Sequence, residues 1–167
     1  MSHRGRFNVL INSLNYEARH VFRRIVDASD TPLELRNVVD DVIWIICHSV
    51  KKQYGDKKVE VSLVHNPAHL EAHSAVTMGK TRSKLDRFGK GKALNVQVHG
   101  DAAVCAQGIV AESLCIGKTP NFSIEGSIHI IKNNQIGYTT KPIDSRPSKY
   151  STDLFKAYDI PVIHVNG

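Results

Sequence analysis

The sequence lacks the long apolar runs and paired cysteines that mark membrane-spanning and disulfide-stabilised proteins. Its longest apolar run, residues 42–47, is far shorter than the roughly 20 residues that a transmembrane helix needs. We expect no secretory signal, because the polar N-terminus has no apolar segment behind it. The three cysteines form no CxxC pair, and their odd number is typical of free thiols in a reducing compartment. With 41% apolar residues in 167, the chain can bury a core, which excludes disorder throughout.

The positive charge of the chain is concentrated in one stretch. The net charge is +6, and residues 80–92 alone carry +5, so the rest of the chain is nearly neutral at +1. A surface that follows nucleic-acid phosphates usually spreads its cations over a whole face, and we therefore expect no nucleic-acid partner. The stretch is better interpreted as a solvated loop, open to an acidic partner, with residues 85–93 as the clearest loop.

Periodicity predicts a helical first half of the chain with one strand. Apolar residues at steps of three and four indicate a helix over residues 8–26, and residues 38–52 are predicted to form a second helix. A turn at 54–56 follows, and the alternation over residues 58–64 predicts a strand. After a turn at 65–67, residues 69–84 are predicted to be helical.

The second half of the chain alternates strands with helices. Strands are predicted at 94–98, 127–131 and 161–165, and helices at 106–115 and 153–158. This order indicates an α/β fold with a parallel sheet flanked by helices. Ligands of such sheets bind beyond the carboxyl ends of the strands. Polar residues follow the first two strands there, at 99–101 and 133–135.

Two of these polar residues suit a magnesium ion. Asp101 offers a carboxylate after one strand, and Asn133 or Asn134 offers an amide oxygen after the next, which are the hard oxygen ligands that magnesium prefers. Small residues between Gly100 and Gly108 would let the backbone approach a diphosphate. An alternative for Asp101 is an ordinary helix cap or turn residue.

Five sequence motifs, in a fixed order along the chain, indicate a specific protein family. They are HRGRFNVL at 3–10, NPAHLEA at 66–72 followed by GKTR at 79–82, HGDAAVCAQGIVAE at 99–112, GSIHIIKNNQIGYTT at 126–140 and HVNG at 164–167. Together they resemble the thiamine-diphosphate-dependent 2-oxoglutarate dehydrogenase family, the decarboxylating component of 2-oxo acid dehydrogenase complexes. The resemblance covers most of the chain apart from residues 28–57, and it implies a transketolase-like diphosphate-binding domain.

The resemblance assigns roles to individual residues. It implies magnesium ligation by the side chains of Asp101 and Asn134 and by the backbone carbonyl of Ile136. It implies that His3 and His69 face the 2-oxo acid, where imidazoles can bind a carboxylate and transfer protons. The implied cofactor-binding residues are Gly100, Asp101, Ala102, Ala103, Gln107, Gly108, Asn134 and Gln135.

The histidines also allow different interpretations. His65, His69 and His73 have the spacing of a zinc-binding helix face, but Pro67 interrupts any helix that would hold the first two. His99, His129 and His164 lie in or near predicted strands, where contact with the cofactor and a buried structural role are equally open.

The chain departs from the family pattern in three places. Ala106 stands where the family usually has glycine, Ala75 stands where proline is usual, and residues 41–50 replace a stretch that usually reads GDVKYHLG. These departures are more similar to the 2-oxoadipate paralogue than to the 2-oxoglutarate enzyme.

The resemblance also implies partners, a location and a second half of the active site. The resemblance implies a lipoyl-bearing acyltransferase as partner, a homodimer, and a mitochondrial matrix location in a eukaryote or a cytoplasmic one otherwise. A pyrimidine-binding half, which supplies the activating glutamate in the family, has no counterpart here. We therefore expect a fragment: residues 1–92 carry helices and substrate-side motifs, and residues 93–167 carry an incomplete diphosphate and magnesium core. A degenerate, non-catalytic cofactor-binding module is the alternative.

Overall fold

The structure is a computed structural model that describes residues 3–25, 46–65 and 70–167, with the backbone alone for His3, Arg4 and residues 23–25. The chain divides into two compact units, with the boundary between residues 67 and 68. Each unit has its own elements and its own buried apolar cluster.

The first unit opens with interrupted helices in place of the single helix predicted over residues 8–26. Helix α1 spans His3–Asn8, a π-helix spans Val9–Ser13, and helix α2 spans Ala18–Ile25. The interruption lies at Asn15, whose φ of 57° is left-handed, a conformation that asparagine tolerates better than most residues. The apolar period continues across the break, which is why it suggested one helix.

A β-hairpin completes the first unit and corrects the second predicted helix. Strand β1, His48–Tyr54, pairs antiparallel with strand β2, Lys57–Leu63, through a turn at Gly55 with a φ of 56°. The predictions of the turn and of the second strand are confirmed. The helix predicted over 38–52 is wrong from His48 onward, because a short apolar run cannot distinguish helix from strand and pairing with β2 decides it. Its first part, residues 38–45, lies outside the described residues.

Arg6 ties the first unit together. Its guanidinium is buried and donates to the backbone oxygens of Ile46 and Val64, which flank the hairpin. Burial lowers the pKa of Arg6. The neighbouring buried cluster consists of Leu10, Leu14 and Ile46.

The second unit is built around two parallel strands. Helix α3, Ala72–Phe88, precedes strand β3, Asn95–Gly100, and strand β4, Ser127–Lys132, pairs with β3 in parallel from Asn95↔Ser127 to Gly100↔Lys132. Between the strands lie helices α4, Asp101–Val104, and α5, Gly108–Lys118. Helices α6, Pro142–Ser145, and α7, Asp153–Lys156, follow β4.

These elements confirm a mixed α/β fold but not the sheet that was expected. Residues 161–165, which the structure describes, form no strand, and the strands present make two separate two-stranded sheets. A strand needs a hydrogen-bonded neighbour, and the β-branched residues of 161–165 do not by themselves supply one. The loop expected over 85–93 is also wrong in part, because α3 continues to Phe88.

The β3–β4 pair buries its polar face. Asn95, Gln97 and His99 of β3 are buried, whereas Ile128 and Ile130 of β4 are about half exposed. The buried apolar core of this unit lies elsewhere, in the cluster of Val104, Val110, Leu114 and Phe155. Helices α3 and α5 approach closely at Gly117, where a Cβ would lie 2.7 Å from the terminal methyl of Met78.

None of the helices that the structure describes is long and apolar enough to cross a membrane.

Replacing Leu114 tests the core of the second unit. Leu114 is 5% exposed, and Leu114→Ala removes buried methyl groups and leaves a cavity, which costs about 2–5 kcal/mol. We expect the free energy of unfolding, measured by urea denaturation, to fall by that amount. Ile116→Ala on the same helix is the control, because Ile116 is 44% exposed and should cost much less. Equal losses for the two variants would contradict this core assignment.

Candidate functional site

The carboxyl ends of β3 and β4 lie side by side. Gly100, the last residue of β3, is in register with Lys132, the last residue of β4. Asp101 and Asn133 therefore follow directly at the same edge of the pair. The sequence prediction that polar side chains from the two strand ends share one edge is supported by this register.

Asp101 is the most deeply buried charged side chain at this edge. It is 1% exposed, and Nη1 of Arg146 lies 3.3 Å from its Oδ2. Its other oxygen, Oδ1, is buried and has no hydrogen-bond partner among the described residues. A buried carboxylate oxygen without a donor is unfavourable, and a bound cation is one way to satisfy it.

The alternative role of Asp101 as a helix cap is not what the structure shows. The cap position of α4 belongs to Gly100, in extended conformation, and Asp101 is the first helical residue. Its carboxylate faces Arg146.

The loop after β4 packs against α4. A Cβ at Gly137 would lie 3.2 Å from the Cβ of Ala102, so a larger residue there would require α4 or the loop to shift by a few tenths of an ångström. Gln135 has a left-handed φ of 57°. The loop is held by Asn134, whose backbone N–H donates to the Lys132 oxygen at 3.1 Å and whose Oδ1 accepts from the Ile136 N–H at 3.0 Å.

This arrangement suits a small hard cation. The helix of Asp101 and the loop of Asn134 and Ile136 are in contact through Ala102 and Gly137. A second lone pair remains on the Asn134 amide oxygen after its bond to Ile136. The orphaned Oδ1 of Asp101 together with an amide oxygen fits the oxygen ligands that magnesium prefers. In the described part of the chain, no three His, Cys, Asp or Glu side chains cluster for a metal.

The small-residue segment after Asp101 forms two helices where one was predicted. Ala102 and Ala103 belong to α4, and Gln107 is the cap residue of α5, which begins at Gly108. A Cβ added at Gly100 or Gly108 would meet no atom within 4 Å, so open space lies beside both. The backbone beside these glycines is accessible to a ligand.

The side chains of the two predicted catalytic histidines lie outside the described part of the chain. The side chain of His3 and the whole of His69 lie outside the described residues, as does the zinc alternative, which needs His69. Glu71, two residues beyond His69, is described and is buried with a left-handed φ of 60°.

Glu71 begins a buried chain of hydrogen bonds that the sequence did not reveal. Its Oε2 lies 2.8 Å from Nδ1 of His99, and Nε2 of His99 lies 3.0 Å from Nδ1 of His129. Nε2 of His129 lies 2.7 Å from Oγ of Ser127, and Ser74 donates to the same Glu71 oxygen at 3.1 Å. A set of neutral tautomers in which every donor points toward Glu71 satisfies this chain.

His99 is buried and His129 is half-buried, and each is engaged in hydrogen bonds within the unit. Their rings stack with centroids 5.2 Å apart, and His129 also packs on Phe155. The pKa of His129 is lowered to about 4, mainly by burial and secondly by the charge of His99, while the charge of Glu71 opposes the shift. His164, in contrast, is exposed and lies near Tyr150. In the sequence, the polar residues Asn95, Gln97 and His99 alternate along one face of the predicted strand, and this pattern could have indicated a buried hydrogen-bonded face.

The basic stretch, residues 80–92, is largely helical, and one of its cations is held by contacts within the unit. Arg82 binds Asp86 at 2.8 Å and donates to the backbone oxygens of Asn121 and Ser123. It also lines a cavity of about 410 Å³ between α3 and α5, away from Asp101. The expected solvated loop is confined to the residues after Phe88.

Comparison with known proteins identifies relatives along the whole chain. A family model described as "Dehydrogenase E1 component" matches residues 45–167. The chain is 41% identical over 170 residues to the 2-oxoglutarate dehydrogenase E1 component of Rickettsia conorii, covering all of this chain and 18% of that protein.

Two relatives come from Dictyostelium discoideum. One is a probable 2-oxoadipate dehydrogenase complex component E1 homolog and the other a mitochondrial 2-oxoglutarate dehydrogenase, each 42% identical over 172 residues. They cover the whole of this chain and 19% and 17% of their own lengths. The chain thus spans about a fifth of the relatives it matches, and these identities do not separate the two substrate types.

The lowered pKa of His129 makes stability depend on pH. In the unfolded chain the imidazole takes up its proton below its ordinary pKa of 6.5, whereas in the folded chain it does so only near 4. Neutral His129 contributes its full share of the folding stability above pH 6.5. The free energy of unfolding should therefore fall as the pH drops from 6.5 toward 4. Urea denaturation across this range measures the loss, and His129→Asn should reduce it. An imidazole NMR titration with a midpoint near 6.5 would contradict the assignment.

Proposed function

Because the chain belongs to the dehydrogenase E1 component family, we propose that it is the diphosphate-binding part of a 2-oxo acid dehydrogenase. The observation that carries the proposal is the orphaned Oδ1 of Asp101 at the carboxyl end of β3, beside the loop of Asn134. We place the diphosphate and magnesium core in residues 93–167, with its boundary between residues 92 and 93. The activity, substrate and partners belong to the longer relatives and come to this chain only as part of the proposal.

Residues at the strand ends would hold the cofactor. Asp101 and Asn134 would bind magnesium through their side chains and Ile136 through its backbone carbonyl. Gly100, Ala102, Ala103, Gln107, Gly108 and Gln135 would line the diphosphate, which the open space at the two glycines accommodates. When bound, thiamine diphosphate supplies the electron sink for loss of carbon dioxide from a 2-oxo acid.

The histidines of the substrate-side motifs complete the proposal. His3 and His69 would bind the carboxylate or the oxo group of the substrate and transfer protons near neutral pH. We favour 2-oxoadipate over 2-oxoglutarate because of the departures at Ala75, at Ala106 and in residues 41–50. The acyl group would pass to a lipoyl-bearing acyltransferase, and the longer protein would act as a homodimer in the mitochondrial matrix of a eukaryote, or in the cytoplasm otherwise.

Calorimetric titration tests the cofactor site. We expect the 167-residue chain to bind thiamine diphosphate in the presence of magnesium and not after chelation. Asp101→Ala should abolish that binding, because it removes a magnesium ligand. Asp144→Asn, which changes an exposed carboxylate of the same unit, should leave it intact. Magnesium-independent binding, or no binding by the unmodified chain, would contradict the proposal, and the latter would favour a degenerate module.

Turnover by the 167-residue chain is a separate test. The resemblance assigns the activating glutamate to a pyrimidine-binding half that has no counterpart in these residues. We therefore expect no release of carbon dioxide from carboxyl-labelled 2-oxoglutarate or 2-oxoadipate by this chain with thiamine diphosphate and magnesium. Measurable release would contradict the division of the site between two halves. A longer relative under the same conditions is the positive control.

A further inference from the structure

We propose that Arg146 is the positioning residue of the Asp101 carboxylate: it holds Oδ2 and leaves Oδ1 directed to a divalent cation. This inference rests on the proposed function, because it assumes that Asp101 is a magnesium ligand. It concerns a residue outside the small-residue segment and the loop of Asn134.

The two oxygens of Asp101 are in different situations. Oδ2 faces Nη1 of Arg146 at 3.3 Å, and the side chains of Arg146 and Asp101 are 9% and 1% exposed. Oδ1 is equally buried, yet it has no hydrogen-bond partner among the residues that the structure describes. Oδ2 is therefore satisfied by a donor from the protein, and Oδ1 is left for a ligand that only a binding event can bring.

The backbone at Arg146 is predisposed to make this contact. Arg146 precedes Pro147, and a residue before proline is restricted to extended conformations. Its φ of −150° and ψ of 143° lie in that region. Its N–H donates to the Pro142 oxygen at 3.3 Å, which fixes the arginine to the end of α6. The direction of the side chain is thus limited before any cation binds.

The segment that carries Arg146 is anchored on its other side as well. Ser151 is buried, and Phe155 of α7 belongs to the apolar core with Val104 of α4. The helix that begins with Asp101 and the segment that carries Arg146 therefore share one core. A carboxylate that ligates a metal is commonly held by a second hydrogen bond, and loss of that bond typically weakens metal affinity 10–100-fold.

Removing the guanidinium tests the inference. We expect Arg146→Met to weaken the affinity of the 167-residue chain for Mn²⁺ by about 10–100-fold, measured from free Mn²⁺ by electron paramagnetic resonance with thiamine diphosphate present. Arg146→Lys should restore part of the affinity, because it keeps the charge and one donor but not the planar fork. Lys149→Met is the matched control: it removes a cation three residues away, one placed over the Tyr150 ring, and should leave the affinity unchanged.

The outcomes separate this inference from the proposed function. An unmodified chain that binds no Mn²⁺ would overturn both. Binding by the unmodified chain with equal affinity in Arg146→Met would overturn the positioning role alone. Tighter binding by Arg146→Met would also overturn it, because it would show that the arginine competes with the cation for the carboxylate. If Arg146→Met does not fold by circular dichroism, Arg146→Gln takes its place, because it also removes the charge, and an affinity equal to that of the unmodified chain would exclude positioning.

Discussion

The buried hydrogen-bonded contact between α3 and β3 is the constraint on which the second unit depends. Gln97 donates to the Ser74 oxygen and to Asn95, Asn95 donates to Thr81, and His99 meets Glu71. Hydrogen bonds between specific atoms allow one register of helix against strand, whereas apolar packing tolerates sliding. These hydrogen bonds also require that the polar face of β3 be turned inward. This orientation leaves Ile128 and Ile130 of β4 on the face that is half exposed.

This constraint reaches the candidate site through two short connections. His99 lies two residues before Asp101, so the bond between His99 and Glu71 anchors the end of β3 next to the start of α4. Parallel pairing then brings the end of β4 to the same edge, and the close approach of Gly137 to Ala102 holds the following loop against α4. Arg146 reaches the same carboxylate from a third segment. The site thus combines parts of the chain that are 45 residues apart.

Several elements could be predicted because their signal is local. The strands predicted over residues 58–64 and 127–131 are present as Lys57–Leu63 and Ser127–Lys132, and the turn at Gly55 needs the left-handed φ that glycine adopts readily. Predictions failed where a distant partner decides. The residues of β1 form a strand because β2 pairs with them, and residues 161–165 are rich in Val and Ile but form no strand among the described residues. The helix predicted over residues 8–26 is interrupted at Asn15, which adopts a left-handed φ.

The sequence by itself determined the family, because ordered motifs do not depend on how the chain packs. It predicted which residues form the candidate site from their chemistry and their order in the chain. It also indicated that Asp101 and Asn134 follow neighbouring strands. Only the tertiary structure decided the state of those groups. It buries Asp101 with one oxygen on Arg146 and the other unsatisfied, and it places His99 between Glu71 and His129 with a hydrogen bond to each. The reason is physical. Burial and hydrogen bonding depend on which residues far apart in the chain come into contact, and no local pattern encodes those contacts.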